Sequence, residues 1–499
     1  MKLKSLLSKP LAFFIAAKTK SWSRKPVQVQ EETLKYLLKK GSQTEFGKAH
    51  SFGQIKNHED FKRQVPIREY EDFLPFIEKV KNGLTDILWP GKPLYLSKTS
   101  GTTAGIKYIP ITSDSIPYHI SAARDSLLLY INETGKADFV DRKMIFFSGS
   151  PELDFSGPIP IGRLSGIVNH YVPKYLRTNQ MPSYKTNCIE DWEEKVEAIV
   201  DETMKEDMSL ISGIPPWVQM YFDKLEQKTG KRAAKLFANF SLFVYGGVNF
   251  EPYRKKLEKS IGKKVDTIEL YPASEGFIAF QDKQDDKGML LLLNSGIFYE
   301  FIPVNEYGNP NPTRLSIGEV ELDVNYALIM STNAGLWAYS IGDTVKFTSL
   351  NPYKIIVTGR VKHFLSAFGE HIIGEEVDNA MNLAATEHHV DVVEFTVAPQ
   401  VNPKEGLPYH EWFIEFSDLP NDLEAFSMSI DKAMQSKNIY YSDLVKGSVL
   451  QPLKITVIKK GGFIEYMKSV GKLGGQNKVP RLANNRTIAE QLLKFSDVR

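Results

Sequence analysis

The chain has 499 residues, 42% of them hydrophobic and 24% charged, a composition that excludes a disordered or membrane-spanning protein and allows roughly three domains. With 62 basic against 60 acidic side chains, the formal net charge of +2 supplies no global field for nucleic acid, so small molecules are the expected partners. A single cysteine, Cys188, excludes an internal disulfide framework and a cysteine-rich zinc site and fits a reducing compartment, the cytoplasm.

From Met1 to Lys25 the chain carries seven Lys/Arg and no acid around the apolar run Leu11-Ala12-Phe13-Phe14-Ile15-Ala16-Ala17. The run superficially resembles a signal peptide, but it is only seven residues long, Pro10 precedes it, and Lys18-Thr19-Lys20 stands where small cleavage-site residues would be needed. A basic amphipathic helix packed on its domain is predicted, with a peripheral membrane contact as the other role for such a segment. No stretch is long enough to span a bilayer.

Next comes Ser97-Lys98-Thr99-Ser100-Gly101-Thr102-Thr103-Ala104-Gly105-Ile106-Lys107, which concentrates hydroxyls, two glycines and a terminal lysine. Glycines let backbone N–H groups approach a polyanion, hydroxyls add donors, and lysine brings a point charge, so the segment reads as a phosphate cradle. It is not a Walker loop. Three residues, not four, separate Gly101 from Gly105, Ile106 intervenes before Lys107, and Tyr108 replaces the magnesium-binding hydroxyl. The plain alternative is a Ser/Thr/Gly loop between strands.

A helix is predicted over Ile116–Tyr130, and a buried strand over Lys143–Phe147. The Gly/Pro-rich stretch Pro151–Pro182 has the aromatic content of an ordered binding loop, and its Arg163 and His170 are candidates to anchor a substrate carboxylate. Helices and short strands then alternate. A helix from Glu190, a strand Ser209–Ser212, a helix opening at Pro215-Pro216, a strand Leu242–Tyr245, a helix Pro252–Ile261 and a strand Thr267–Leu270 predict a layered α/β domain with largely parallel strands. Ligands of such sheets gather beyond the carboxyl ends of the strands.

From Met289 to Val357 successive β runs (Leu290–Leu293, Phe298–Ile302, Gly318–Val324, Leu336–Ser340, Lys354–Val357) predict an antiparallel sheet or small barrel attached to that layer. After Gly359-Arg360 a mixed α/β segment the size of a small domain follows, with a hinge at Val361 and Lys362. The expected organisation is a large N-terminal domain over residues 1–361, of layered α/β sheets plus an antiparallel barrel-like subdomain, and a smaller mobile α/β domain over 362–499.

The loops Thr99–Lys107, Tyr245-Gly246-Gly247, Tyr271-Pro272-Ala273-Ser274-Glu275 and Tyr339-Ser340-Ile341-Gly342-Asp343 stand in order, followed by Gly359-Arg360, Ser366-Ala367-Phe368-Gly369-Glu370 and Asn477-Lys478-Val479-Pro480-Arg481. Together they resemble the adenylate-forming superfamily of acyl-CoA synthetases and luciferases. Within it the set looks most like the auxin-responsive acyl acid-amido synthetases, over nearly the whole chain.

The resemblance implies that a carboxylic acid attacks the α-phosphate of ATP, releasing pyrophosphate, and that an amine such as an amino acid then displaces AMP. It implies that Thr99, Ser100, Gly101, Thr102, Thr103, Gly105 and Lys107 hold the outer phosphates, with Glu275 coordinating Mg²⁺ and Ser274 bonding the α-phosphate. Tyr271 would cover adenine beside Gly246 and Gly247, Asp343 would accept the ribose hydroxyls, and Arg360 would add a ribose or phosphate contact. Lys478 would bridge carboxylate and α-phosphate during adenylation and then leave as its domain rotates. The plain alternative for Lys478 is a solvated basic tail shared with Arg481 and Arg486. Ser340 departs from the family pattern, which often has arginine there. A thiol acceptor, giving an acyl-CoA ligase, is the first alternative function, and a non-catalytic nucleotide-binding protein docked through its basic N-terminal helix is the second. The Lys-Val-Pro-Arg motif favours the amide product.

Overall fold

The computed structural model describes residues 3–100, 106–172, 177–247, 250–361, 368, 372–446, 449–474, 478–483 and 485–497. Gly101 to Gly105 of the cradle, Lys362 of the expected hinge, Ser366, Ala367, Gly369, Glu370 and Asn477 lie outside the described residues. Contacts divide the chain into two compact units, Met1–Val248 with Ser260–Val357, and Asn249–Lys259 with Thr358–Arg499.

In the first unit a hairpin of β1 (Tyr95–Ser100) and β2 (Ile106–Ile111) is joined by β4 (Ile161–Gly162), which runs parallel to β1. An eleven-stranded sheet forms the rest. One half is parallel: β3 (Lys143–Phe146), β5 (Gln180–Met181), β6 (Met208–Ser212), β7 (Leu242–Gly246) and β8 (Asp266–Ala273) lie in the order β8-β7-β6-β3-β5. In β6 and β7 the first four residues are all buried, the continuous apolar run that a parallel strand covered on both faces requires. Their connections are helical for local reasons. Asp191 caps Trp192–Thr203 by accepting from the Glu194 N–H, and Pro215 opens a helix closed at Thr229 by Gly230 at φ +66°.

The antiparallel half is continuous with the parallel one. It comprises β9 (Gly276–Gln281), β10 (Met289–Leu291), β11 (Ile297–Pro303), β12 (Asn325–Thr332), β13 (Tyr339–Leu350) and β14 (Tyr353–Arg360), ordered β11-β12-β13-β14-β10-β9, with β9 against β8. Two predicted strands are irregular. Gly318–Val324 alternates as a strand would, but the Ser316/Glu319 turn and Asp323 at φ +61° hold it as a loop. Leu336–Ser340 becomes strand only from Tyr339, because Gly335 at φ +91° and Ala338 at φ +45° bend the chain.

The helix Leu3–Ser23 buries Ala12 and Ile15 in a core with Ala122 and Leu129 of the helix Ile116–Thr134 and with Val244, Ile268 and Phe280 of the sheet. Farther along, Arg314 donates to both oxygens of buried Glu300 at 2.9 and 2.7 Å, and His58 donates to Oε1 at 2.8 Å. Arg314 also donates to the Val65 carbonyl at 2.7 Å, which ties the helix His58–Gln64 to β11. Burial pushes the Glu300 carboxyl up, but the Arg314 charge and the hydrogen bonds from His58 and Arg314 outweigh it and hold the pKa below the usual glutamate value.

The second unit is built on β15 (Val392–Gln400), β16 (Tyr409–Phe416) and β17 (Lys454–Ile458), with β15 and β16 antiparallel and β16 and β17 parallel. Phe395, Trp412 and Ile414 pack under the helices Gly374–Glu387 and Leu423–Lys437, whereas Phe413 and Ile458 pack with Phe463 and Leu492.

Breaking the Glu300 cluster leaves a buried charge without its partner. Arg314→Met is expected to lower the unfolding free energy by about 3–5 kcal/mol in denaturant titrations at neutral pH. Because the folded pKa of Glu300 is depressed, this contribution is present above the ordinary glutamate pKa of about 4.3 and is lost as pH falls through the folded value. A loss no larger than that of an exposed pair, under about 1 kcal/mol, would contradict this account.

Candidate functional site

β8 runs three residues past its last pair with β7, Gly246 with Leu270, and turns back at once into β9. Ala273 pairs with Gly276, so Ser274 and Glu275 form a two-residue hairpin tip at the carboxyl edge of the parallel half-sheet. Gly276 packs closely on β11, since a Cβ there would lie 2.4 Å from Ile297 Cδ1 and would require that side chain to move. Both tip side chains are buried and held. Ser274 Oγ lies 3.0 Å from Ser97 Oγ of β1, and the Tyr339 hydroxyl at the start of β13 donates to Glu275 Oε1 at 3.3 Å. A hydroxyl and a carboxylate are thereby fixed at the edge where ligands of such sheets gather.

Three residues later on β13 the pairing with β12 is irregular. Ala327 opposes Thr344 and Ile329 opposes Ser340, so Ile341, Gly342 and Asp343 face Leu328 alone. Gly342 adopts φ +84°, which a side chain would resist, and the bulge delivers Asp343 to Tyr271 of β8. The Tyr271 hydroxyl donates to Asp343 Oδ2 at 2.5 Å, a charge-assisted bond joining the two strands. Beside them on β7, Gly246 has no room for a Cβ, which would fall 2.3 Å from the Leu270 carbonyl oxygen, and Gly247 adopts φ +84°. Close packing against β8 therefore accounts for Gly246. Ser340 Oγ is 2.8 Å from the Tyr307 hydroxyl, and its N–H donates to the Arg68 carbonyl at 2.8 Å.

The described ends of the cradle belong to β1 and β2. Thr99 pairs with Lys107 and Ser100 with Ile106, and Gly101 to Gly105 lie outside the described residues. Lys107 Nζ lies 5.3 Å from the Tyr70 ring centroid, and the Tyr70 hydroxyl accepts the Tyr108 N–H at 2.7 Å. Thr99 and Lys107 flank that segment, and Ser97 links β1 to Ser274.

Arg163 precedes the helix Leu164–Asn169, and its Cδ occupies the space that a Cβ on Gly149 would take. Among the described residues its half-buried guanidinium makes no hydrogen bond or ion pair; burial lowers its pKa and the charge of Glu190 opposes that. His170 differs, because its Nε2 donates to the Pro151 carbonyl at 2.7 Å and is already engaged within its own loop.

Close to Arg163 stands a cation that sequence reasoning missed. Lys195 is buried, donates to the Ser148 carbonyl at 3.0 Å and the Asn187 carbonyl at 2.6 Å, and its pKa is lowered to about 8, chiefly by burial and further by the Arg163 charge. The available signal was its place on the buried stripe Trp192, Lys195, Val196, Ile199, where a helix presents core positions. Burial also pushes the Cys188 thiol up, away from the thiolate a nucleophile needs.

In the second unit, Arg360 is exposed at the end of β14 and Lys478 is exposed. The segment after Lys478 is not a loose basic tail. Arg481 is half-buried and pairs with Glu394 and, at 3.1 Å, with Asp378; it also donates to the Phe395 carbonyl at 2.8 Å and the Tyr253 hydroxyl at 2.9 Å. The Val397 N–H donates to the Arg481 carbonyl at 2.9 Å and Thr396 Oγ1 to the Pro480 carbonyl at 2.6 Å, which fastens Pro480 and Arg481 along β15. Arg486 is likewise paired, with Glu411 at 2.8 Å. Lys478 thus sits three residues from a rigid anchor.

Comparison with known proteins agrees with this architecture. Family models match residues 16–186 (GH3 family N-terminal domain), 290–360 (GH3 family central domain) and 375–487 (GH3 family C-terminal domain), together well over half of the chain. Curated relatives include the indole-3-acetic acid-amido synthetase GH3.4 of Arabidopsis thaliana, 22% identical over 94% of this chain and 91% of its own length. Another is the jasmonoyl–L-amino acid synthetase JAR4 of Nicotiana attenuata, 23% identical over 94% and 93%. Among solved structures, the acyl acid amido synthetase AtGH3.15 in complex with 2,4-DB superposes with a TM-score of 0.80 at 18% identity, covering 97% of this chain and 96% of that one. A 2-hydroxyisobutyryl-CoA ligase in the postadenylation state gives 0.58 at 13% identity, covering 96% and 91%. The fold is that of the adenylating enzymes, and the chain belongs to the GH3 family.

Proposed function

We propose that this protein is an ATP-dependent acyl acid-amido synthetase, which adenylates a carboxylic acid and passes the acyl group to an amine such as an amino acid. The carrying observation is the edge at which Ser274, Glu275 and the Tyr271–Asp343 pair converge from β8, its hairpin tip and the β13 bulge. Full-length similarity to proteins named amido synthetases supports the acceptor class.

The chemistry asks for fixed cations and donors. Two like charges about 4 Å apart repel by roughly 4 kcal/mol at an intermediate effective dielectric, so a carboxylate approaches a polyphosphate only when positive groups lie between them. In the first step a carboxylate oxygen attacks the α-phosphorus of ATP, and the bond to pyrophosphate breaks with its electrons. In this proposal Lys107 and the Thr99–Gly105 donors hold the outer phosphates, Ser274 bonds the α-phosphate, Asp343 accepts the ribose hydroxyls, and Tyr271 covers adenine beside Gly246 and Gly247. Arg360 adds a ribose or phosphate contact. Glu275 would hold a Mg²⁺, which would supply charge neutralisation at the phosphates; no group of three or more His, Cys, Asp or Glu able to hold a metal occurs among the described residues.

Lys478 supplies the cation between the attacking carboxylate and the α-phosphate. Residues 1–361 then act as the adenylation domain and 362–499 as the mobile one, whose rotation withdraws Lys478 before the second step. There the amine nitrogen attacks the acyl carbonyl carbon, the bond to AMP breaks, and the nitrogen loses a proton. The adjacent cations Arg163 and Lys195 give one substrate a place for a carboxylate, with His170 shaping that loop.

The test is acid-dependent ATP–pyrophosphate exchange over a panel of carboxylic acids, followed by product analysis with amino acids and with coenzyme A. Exchange followed by amide formation is expected; thioester formation in its place would make the protein an acyl-CoA ligase, and absence of exchange with every acid would overturn the enzyme assignment. Lys478→Ala is expected to cut exchange by at least about 100-fold while leaving ATP affinity unchanged, a pattern that a purely structural lysine would not give.

A second expectation follows from Lys195, whose charge is lost above pH 8. The KM for whichever substrate places its carboxylate there rises between pH 7 and 9 in the wild type. In Lys195→Met it is high and flat with pH. A KM that rises equally in the variant would remove Lys195 from the binding role.

A further inference from the structure

The helix Leu3–Ser23 is used on one side only. Ser5, Ala12 and Ile15 are its buried residues, a spacing that places them on a single stripe, and Ala12 and Ile15 pack with Ala122 and Leu129 of the helix Ile116–Thr134. The opposite stripe should be polar in a helix that ends its interactions there. It is apolar instead. Leu3, Leu6, Leu7, Pro10, Phe14 and Ala17 recur at three- and four-residue spacing and are exposed, Leu3 at 68%, Leu7 at 62% and Phe14 at 62%, and neighbouring Phe13 reaches 72%.

The charges complete the pattern. At 100° per residue, exposed Lys9 and Lys20 fall on one flank of that apolar stripe and exposed Lys18 on the other, so cationic groups border it on both sides. No acid occurs before Glu31. Lysine stems run along apolar surface while their ammonium groups reach outward, which suits a plane with hydrocarbon at its centre and anionic groups at the level of the charges. A second copy of the same helix offers no such complement, because face-to-face pairing would bring lysine flanks against lysine flanks. No helix of the described residues is long and apolar enough to cross a membrane, so the segment would lie on a bilayer rather than span it.

We propose that the outward stripe of the helix Leu3–Ser23 docks the protein on an anionic lipid surface, with Leu3, Leu7 and Phe14 entering the acyl boundary and Lys9, Lys18 and Lys20 meeting headgroup phosphates and carboxylates. This docking is independent of the reaction at the sheet edge and needs no nucleotide.

Sedimentation of the full chain with vesicles tests it, using phosphatidylcholine alone and phosphatidylcholine containing roughly one phosphatidylserine in three lipids. Binding to the anionic vesicles is expected, falling with salt and weaker on neutral ones. Leu7→Ser/Phe14→Ser is expected to lower the partition coefficient at least about tenfold, and Lys9→Gln/Lys20→Gln by roughly fivefold per lysine, with the thermal midpoint unchanged because all four side chains are exposed. Equal binding by wild type and both variants, or no preference of the wild type for anionic vesicles, would overturn the proposal. A wild-type dimer in lipid-free solution that Leu7→Ser/Phe14→Ser converts to monomer would overturn it in favour of a second copy.

Discussion

The candidate site depends on one geometric constraint, the change from parallel to antiparallel pairing at β8. That strand runs parallel to β7 on one side and reverses into β9 on the other with only Ser274 and Glu275 between the paired residues Ala273 and Gly276. Ser274 and Glu275 at this reversal are both buried, and buried polar groups need partners. Ser97 meets Ser274 and Tyr339 meets Glu275, and these contacts draw the β1–β2 hairpin and the start of β13 to the same edge. Packing thereby orients the hydroxyl and carboxylate that the proposed chemistry uses.

The β13 bulge is the second element of that arrangement. Regular pairing across Leu328 would continue the strand and carry Asp343 along its alternation. Three residues opposite one, with Gly342 in the left-handed region, instead bring the carboxylate within 2.5 Å of the Tyr271 hydroxyl. The bond does for β8 and β13 what the serine pair does for β1 and β8. A carboxylate already fixed by one hydrogen bond loses little freedom on accepting further donors, the usual advantage of a preorganised site.

Much of this was legible in the sequence because it is local. The parallel strands β6 and β7 announce themselves as unbroken apolar runs and the helix at Pro215 by its proline, and Tyr271–Glu275 and Tyr339–Asp343 stand out as loops, but neither the reversal into β9 nor the bulge inside β13 can be read from them. What escaped is what long-range pairing decides. Gly318–Val324 has a strand's alternation, and only a turn fixed by Glu319 and a left-handed Asp323 make it a loop. Arg481 sits among basic residues in the sequence and reads as solvated, yet its partners Glu394 and Tyr253 come from distant parts of the chain and hold it in place. Lys195 escaped because a lysine on an apolar stripe is a composition without a motif; its significance lies in Arg163, contributed by a loop that periodicity cannot place.

The most direct test of the central claim is a crystal structure with a non-hydrolysable ATP analogue and Mg²⁺. The account predicts the ribose hydroxyls on Asp343, the phosphates between the β1–β2 hairpin and Ser274, and the metal on Glu275. A nucleotide bound elsewhere in the chain, with the β8–β9 tip and the β13 bulge untouched, would contradict it.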